Sequence, residues 1–177
     1  MIGKHIVPQG DYSISVEVHA ELLNENNYRY LEHFTLFDIG LQSITPQALG
    51  HLRRGFNQPR FLRGVELLKR LKGQTNIYLI LGLPGENFFS FLLSVKFAVA
   101  CDVSRLFINH LCVLNGTTLR REAAELKLRH KPTPPYHATS NYSFGGGELS
   151  MAHLFAETMV REHDCAVAMS PGVISPS

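Results

Sequence analysis

The sequence predicts an α/β fold of parallel βα units, and three observations carry the prediction. Apolar runs of strand length alternate with stretches of helical period in the order β-α-β-α-β-α-β-α. One of these runs, residues 76–83, is almost continuously apolar and ends in Gly82-Leu83-Pro84-Gly85, as a strand buried on both faces does when it breaks into a turn. The corners after the strands carry capping residues, Thr45-Pro46 and Glu86-Asn87. Strands alternating with helices imply a parallel sheet with right-handed crossovers. Four such units make either an open sheet or about half of an eight-unit TIM-type barrel.

Residues 13–20 alternate apolar and polar and read as the first strand. Glu17 within it is either a solvated outward position or an inward carboxylate aimed at a ligand. Residues 21–31 read as a helix with Leu22, Leu23 and Tyr30 on its apolar side. Residues 34–41 form the next strand, and a helix over 46–52 runs into Arg53-Arg54, with Gly55 as its stop. Two arginines there complement a helix dipole, or they hold a carboxylate or phosphate near the carboxyl edge of the sheet. Residues 58–72 are an amphipathic helix ended by Gly73, and residues 87–100 a helix rich in Phe and Leu. Residues 103–113 give a fourth strand, on which His110 and Cys112 share a face and read as packed core rather than as metal ligands. A short helix is expected over 119–127, an extended Pro-rich segment over 131–135, and a helix over 149–162. The Gly145-Gly146-Gly147 run before that last helix reads as a hinge in preference to an anion site. The residues after Asp164 read as a loose tail.

Bulk properties narrow the function classes. With 177 residues, 45% hydrophobic and 18% charged, the chain has enough apolar material for one packed domain. Lys+Arg 17 against Asp+Glu 15 leaves +2, too balanced to imply nucleic acid. The apolar runs are short of membrane-spanning length and Met1 to His5 opens no signal core, so a cytoplasmic protein without a membrane partner is expected. The three cysteines, Cys101, Cys112 and Cys165, are widely spaced and read as free thiols. The chain lacks P-loop, Rossmann, G-x-S-x-G and zinc motifs.

Several ordered motifs carry a more specific resemblance. Asp38-Ile39-Gly40-Leu41-Gln42-Ser43, then Arg53-Arg54, then Leu79-Ile80-Leu81-Gly82-Leu83-Pro84-Gly85-Glu86 resemble the second half of the radical SAM core. Val113 to Arg120 is similar to that superfamily's VLPGTPLR segment. Ser15 to Leu23 and Pro134-Pro135-Tyr136 resemble the branch that carries a cobalamin-binding domain. The resemblance implies a partial barrel whose cofactors are S-adenosylmethionine and a [4Fe-4S] cluster, with cobalamin in the parent family only. It implies that Glu17 and Arg54 contact the methionine moiety, that Gln42, with Ser43 beside it, reaches the ribose, and that the backbone from Ile80 to Gly82 lies along the adenine. A zwitterionic methionine calls for both an acid and a guanidinium, and ribose hydroxyls call for a side chain that donates and accepts.

The departures shape the expectation. The Cys-x3-Cys-x2-Cys motif that holds the cluster is absent, and the three cysteines have neither its spacing nor its place, so the chain offers no metal or catalytic residue of its own. Tyr78 stands where the family often has Asp, and Asn115 replaces the proline of the LPGT segment. Gly146-Gly147-Glu148 has the letters of the family's amino-group motif at the wrong end of the chain. The expected organisation is an extension at 1–12, a partial radical SAM-like barrel at 13–140, a loop and helix at 141–164, and the tail at 165–177. The expected function is that of the C-terminal part of a radical SAM enzyme, inactive alone toward an unknown substrate. The alternative is a truncated non-catalytic module. Strand edges left open by half a barrel invite self-association or pairing with the missing N-terminal half.

Overall fold

The computed structural model describes residues 13–162 and the strand at 166–169. Five parallel strands form the central sheet: β1 (Ser15–Val18), β2 (Leu36–Gln42), β3 (Gln74–Leu81), β4 (Arg105–His110) and β7 (Ala166–Met169). Their order in space, β1-β2-β3-β4-β7, is their order in the chain. Every crossover therefore steps the same way, as in a closing barrel and unlike a doubly wound sheet. The fold is α/β, a partial TIM-type barrel of parallel βα units.

The helices cover one face. They are α1 (Pro46–His51), α2 (Gln58–Lys69), α3 (Phe88–Ala100), the single turn α4 (Thr118–Arg121) and α5 (Gly146–Glu162). On that face Phe37, Ile39 and Leu41 of β2, Ile77, Leu79 and Leu81 of β3, and Leu106 and Ile108 of β4 are buried. They share one core with Phe61, Val65 and Leu68 of α2, Phe91 and Val95 of α3, and Leu149, Ala152 and Ala156 of α5. Polar caps set where two of these helices begin. The Asn57 side chain accepts from the N–H of Arg60, and Asn87 forms a reciprocal capping box with Ser90.

The other sheet face is open, and this corrects the reading of β3 as buried on both sides. Tyr78 and Ile80 alternate with the core residues and are only half-buried, because no strands beyond β1 among the described residues close the barrel over them. Residues 21–31 do not form the expected helix but two single 3-10 turns, at Ala20–Leu22 and Tyr28–Leu31. Asparagines explain the difference: Asn27 Oδ1 accepts from the N–H of Asn24 at 2.8 Å, and Asn24 Oδ1 from that of Asn26 at 2.9 Å. Local side-chain bonds of this kind outcompete a helix. The α1 stop also differs. Arg53, not Gly55, takes the left-handed conformation (φ 53°), and the N–H of Arg54 closes on the carbonyl of Leu49 at 3.0 Å.

The helix expected over 119–127 lasts one turn. Beyond the strand region 129–140 contains an antiparallel hairpin, β5 (Arg129–His130) with β6 (Ala138–Ser140), turning through a cis Pro134–Pro135 bond. This hairpin covers a second small core, including Ala48, Leu83, Leu111 and Val113, at the carboxyl ends of the strands. The glycine run starts α5 three residues early. The N–H of Gly145 donates to the Glu148 carboxylate at 2.7 Å, so the run serves as a capped helix start. The tail is not wholly loose, since β7 pairs with β4. Residues 1–12, 163–165 and 170–177, with the expectations that fall on them, lie outside the described residues. No helix among the described residues is long and apolar enough to cross a membrane.

Candidate functional site

A cleft of about 550 Å³ opens on the uncovered face, lined by alternate residues of the first four strands. Period-two alternation is what delivers them: Ser15 and Glu17 from β1, Asp38, Gly40 and Gln42 from β2, Tyr78 and Ile80 from β3, Asn109 from β4. Glu17 lines this cleft from the uncovered face and is exposed to solvent there. It is the register partner of Asp38.

The rim is shaped by Gly40 and Gln42. The β2–β3 register slips between them, and Gln42 sits at φ 68°, a left-handed conformation rare for a residue with a side chain. Its amide folds back over Gly40. A Cβ placed at Gly40 would lie 2.5 Å from Gln42 Nε2 and 3.5 Å from Arg54 Nη1. The missing side chain is thus what lets the Gln42 amide and the Arg54 guanidinium gather at one spot. Arg54 Nη2 also lies 3.4 Å from His19 Nδ1, just past the end of β1. Glu17, Gln42 and Ile80 thus line the cleft, and Arg54 reaches it beside Gly40.

Two residues expected in the site stand elsewhere. Ser43 is fully buried, and its hydroxyl donates to Glu86 Oε1 at 2.6 Å. Gly82 faces away from the cleft, and its role is packing: a Cβ there would meet Leu149 of α5 at 3.1 Å, and its carbonyl accepts from Asn141 Nδ2 at 2.9 Å. At φ 93° it turns the chain out of β3.

The structure adds a cluster the sequence reading passed over. Asp38 accepts from the Ser15 hydroxyl, from Asn76 Nδ2 at 2.8 Å and from the Tyr78 hydroxyl at 3.2 Å. Where the family often has an acid on the strand of Tyr78, this chain carries one on the neighbouring strand, bonded to that tyrosine. Burial first, and the Asp38 charge second, raise the Tyr78 phenol above its usual range. The Tyr78 ring stacks on Phe107 at 4.5 Å and 5°. The available signal was the alternation Asp38, Gly40, Gln42, which puts all three on one face.

Two further polar groups support the carboxyl end. Glu86 is fully buried, and its Oε1 accepts from Ser43, from Ser94 at 3.0 Å and from Thr45 at 3.3 Å, tying the loop after β2 to the turn after β3. Burial pushes its carboxyl up to about 7 against the pull of those hydroxyls. His110, at the end of β4, buries its ring against α5, with Nε2 3.0 Å from His153 Nδ1. Burial and then the neighbouring histidines push His110 down to about 4. Cys112 Sγ lies 3.5 Å from His137 Nδ1, and burial raises its thiol.

The described thiols do not fit an iron–sulfur cluster. Cys101 is buried at the end of α3 with its thiol on the Phe97 carbonyl, Cys112 is at the cleft, and Cys165 lies outside the described residues. Among the described residues, no group of three or more His, Cys, Asp or Glu side chains can hold a metal ion.

The sheet order defines an incomplete parallel barrel with a cleft on its uncovered face. No family model matches the sequence. The heme chaperone HemW of Buchnera aphidicola subsp. Acyrthosiphon pisum (strain APS) is 22% identical over 107 residues, which is 59% of this chain and 28% of HemW. The radical S-adenosylmethionine methyltransferase TsrM of Kitasatospora setae superposes with a TM-score of 0.59 at 18% identity, over 69% of this chain and 26% of TsrM, in a structure with tryptophan and a SAM analogue bound. A second TsrM structure, holding cobalamin and a [4Fe-4S] cluster, gives 0.61 at 15% identity over 78% of this chain and 36% of that one. Coproporphyrinogen III oxidase (HemN) of Escherichia coli, a radical SAM enzyme, gives 0.61 at 19% identity over 86% of this chain and 33% of HemN. The chain thus spans about a third or less of HemW and HemN. Its resemblance to the radical SAM superfamily is a resemblance of fold.

Proposed function

We propose that this chain supplies the S-adenosylmethionine side of a radical SAM core of the cobalamin-domain type, and that donors for the cluster come from elsewhere. The observation that supports this most is the meeting of Gln42 and Arg54 at the side-chain-free spot at Gly40, in a cleft that Glu17 also lines. The donor set fits the ligand. Arg54 grips the methionine carboxylate, Glu17 takes the ammonium, the Gln42 amide meets ribose hydroxyls, and Ile80 with the adjoining backbone gives the adenine an apolar edge. When a cluster is also present, the bound cofactor of such an enzyme is the source of a 5′-deoxyadenosyl radical. The cysteines of this chain do not fit that cluster, so cleavage is not assigned to it. Further parallel strands preceding β1 would join at its outer edge, one of the sheet's two edges among the described residues.

A non-catalytic binding or assembly module is the second reading, and the placement of Cys101 and Cys112 favours it. Upstream genomic sequence separates the two: an in-frame Cys-x3-Cys-x2-Cys supports the first, a stop codon the second. Calorimetric titration with S-adenosylmethionine tests the site. Half the contacts of a complete core give an expected Kd of roughly 1 mM, and Arg54→Ala weakens it about tenfold, the share of one charge-assisted pair. An affinity unchanged by Arg54→Ala removes Arg54 from the site.

A further inference from the structure

We infer that α3 and α5 together form a self-complementary surface through which two copies of this chain associate. This rests on the outer face of the helix layer and not on the cleft, so it stands or falls apart from the cofactor reading.

The α3 sequence, Phe88 to Ala100, carries a single charged residue, Lys96, in thirteen. A helix that is apolar nearly all round is ordinarily covered on every side. Here the inner face is covered, by Phe91, Val95 and Ala98 packed on the sheet. The outer face is not: Phe89 is 75% exposed and Leu93, one turn on, 58%. α5 packs beside α3 and continues the same surface with Met151, Leu154 and Phe155, at 52%, 57% and 49% exposed. The two halves are one patch, because Phe88 meets Phe155 edge-on at 5.5 Å and Phe89 at 5.3 Å.

Area and charge select the occupant. At about 200 Å² for a large side chain, these five expose roughly 550 Å² together, at the upper end of what a monomer normally leaves open. An isologous pair of copies removes about twice that, which clears the roughly 1,000 Å² that specific interfaces need. Lys96 is the only charge on the α3 face, so a polyanion or an acidic partner would meet one cation and five apolar side chains. A second copy meets the patch with apolar side chains of its own, and each exposed Lys96 carries its ammonium out to the solvated rim on its flexible stem.

Sedimentation equilibrium of the full chain from about 1 to 100 µM is the test, with an expected dimer Kd in the micromolar range. Leu93→Glu/Leu154→Glu is expected to sediment as a monomer at the top concentration with unchanged near-UV circular dichroism. Tyr30→Glu, at a residue 78% exposed elsewhere, stays dimeric. Hydroxyl-radical footprinting needs no variant: Phe89, Met151 and Phe155 of the wild-type chain gain protection as concentration rises. A wild-type monomer throughout, protection independent of concentration, or growth beyond the dimer would each overturn the inference.

Discussion

Glu86→Gln separates two opposing titrations built into the carboxyl end of the sheet. Buried Glu86 titrates near 7 in the native chain, against an ordinary 4.5 once unfolded. As pH rises between those values, the unfolded chain releases a proton that the native chain keeps, and the native state loses roughly 3 kcal/mol. His110 works the other way. Its native value near 4 lies below the ordinary 6.5, so as pH falls through that interval the unfolded chain gains a proton and the native state loses a similar roughly 3 kcal/mol. The two intervals overlap between 4.5 and 6.5, so the wild-type stability curve hides both slopes there. The glutamine keeps an acceptor for Ser43, Ser94 and Thr45 and removes the charge. Urea unfolding across pH 4.5 to 8 at fixed ionic strength reads the difference directly. Relative to wild type, Glu86→Gln gains roughly 3 kcal/mol over that range, and its own curve shows the His110 slope unmasked. Curves that run parallel would refute the buried-acid reasoning.

His110→Gln flattens the acid limb below 6.5 by up to roughly 3 kcal/mol, measured in the same urea series. Gly64→Ala puts a methyl into the Ala20 carbonyl, and since both groups are backbone-fixed it costs about 3 kcal/mol of unfolding free energy by denaturant titration. Gly40→Ala crowds only the movable end of Gln42, so stability shifts by less than about 1 kcal/mol while S-adenosylmethionine affinity falls about tenfold in calorimetry. Anaerobic iron–sulfur reconstitution of the chain alone yields no [4Fe-4S] chromophore by absorbance, because the sequence lacks the Cys-x3-Cys-x2-Cys motif and the described thiols, Cys101 and Cys112, belong to no metal-binding group.

Strands β1 to β4 and helices α2 and α3 were legible because each is written locally, in its run of apolar residues and its ends. Asn87 begins α3 where the sequence places a capping residue. What stayed hidden depends on partners distant in sequence. Asp38 looks like any polar strand residue until the register sets Ser15, Asn76 and Tyr78 around it. Glu86 after Pro-Gly reads as an ordinary helix start, and only the fold brings Ser43 and Thr45 of the loop before α1, and Ser94 of α3, around its buried carboxylate. His110 and His153 come from segments 43 residues apart. The asparagine turns at 24–27 are a local signal that helical spacing of Leu22, Leu23 and Tyr30 masked. Gln42 and Arg54 meet beside Gly40, whereas Ser43 bonds to buried Glu86 and Gly82 packs against Leu149.

The most direct measurement is an NMR titration of the isotope-labelled chain with S-adenosylmethionine. Shift changes concentrated at Glu17, Gly40, Gln42, Arg54 and Ile80, and abolished together in Arg54→Ala, are the expected result. Changes absent at millimolar ligand, or gathered away from the β1–β2 rim, would contradict the assignment of the cleft.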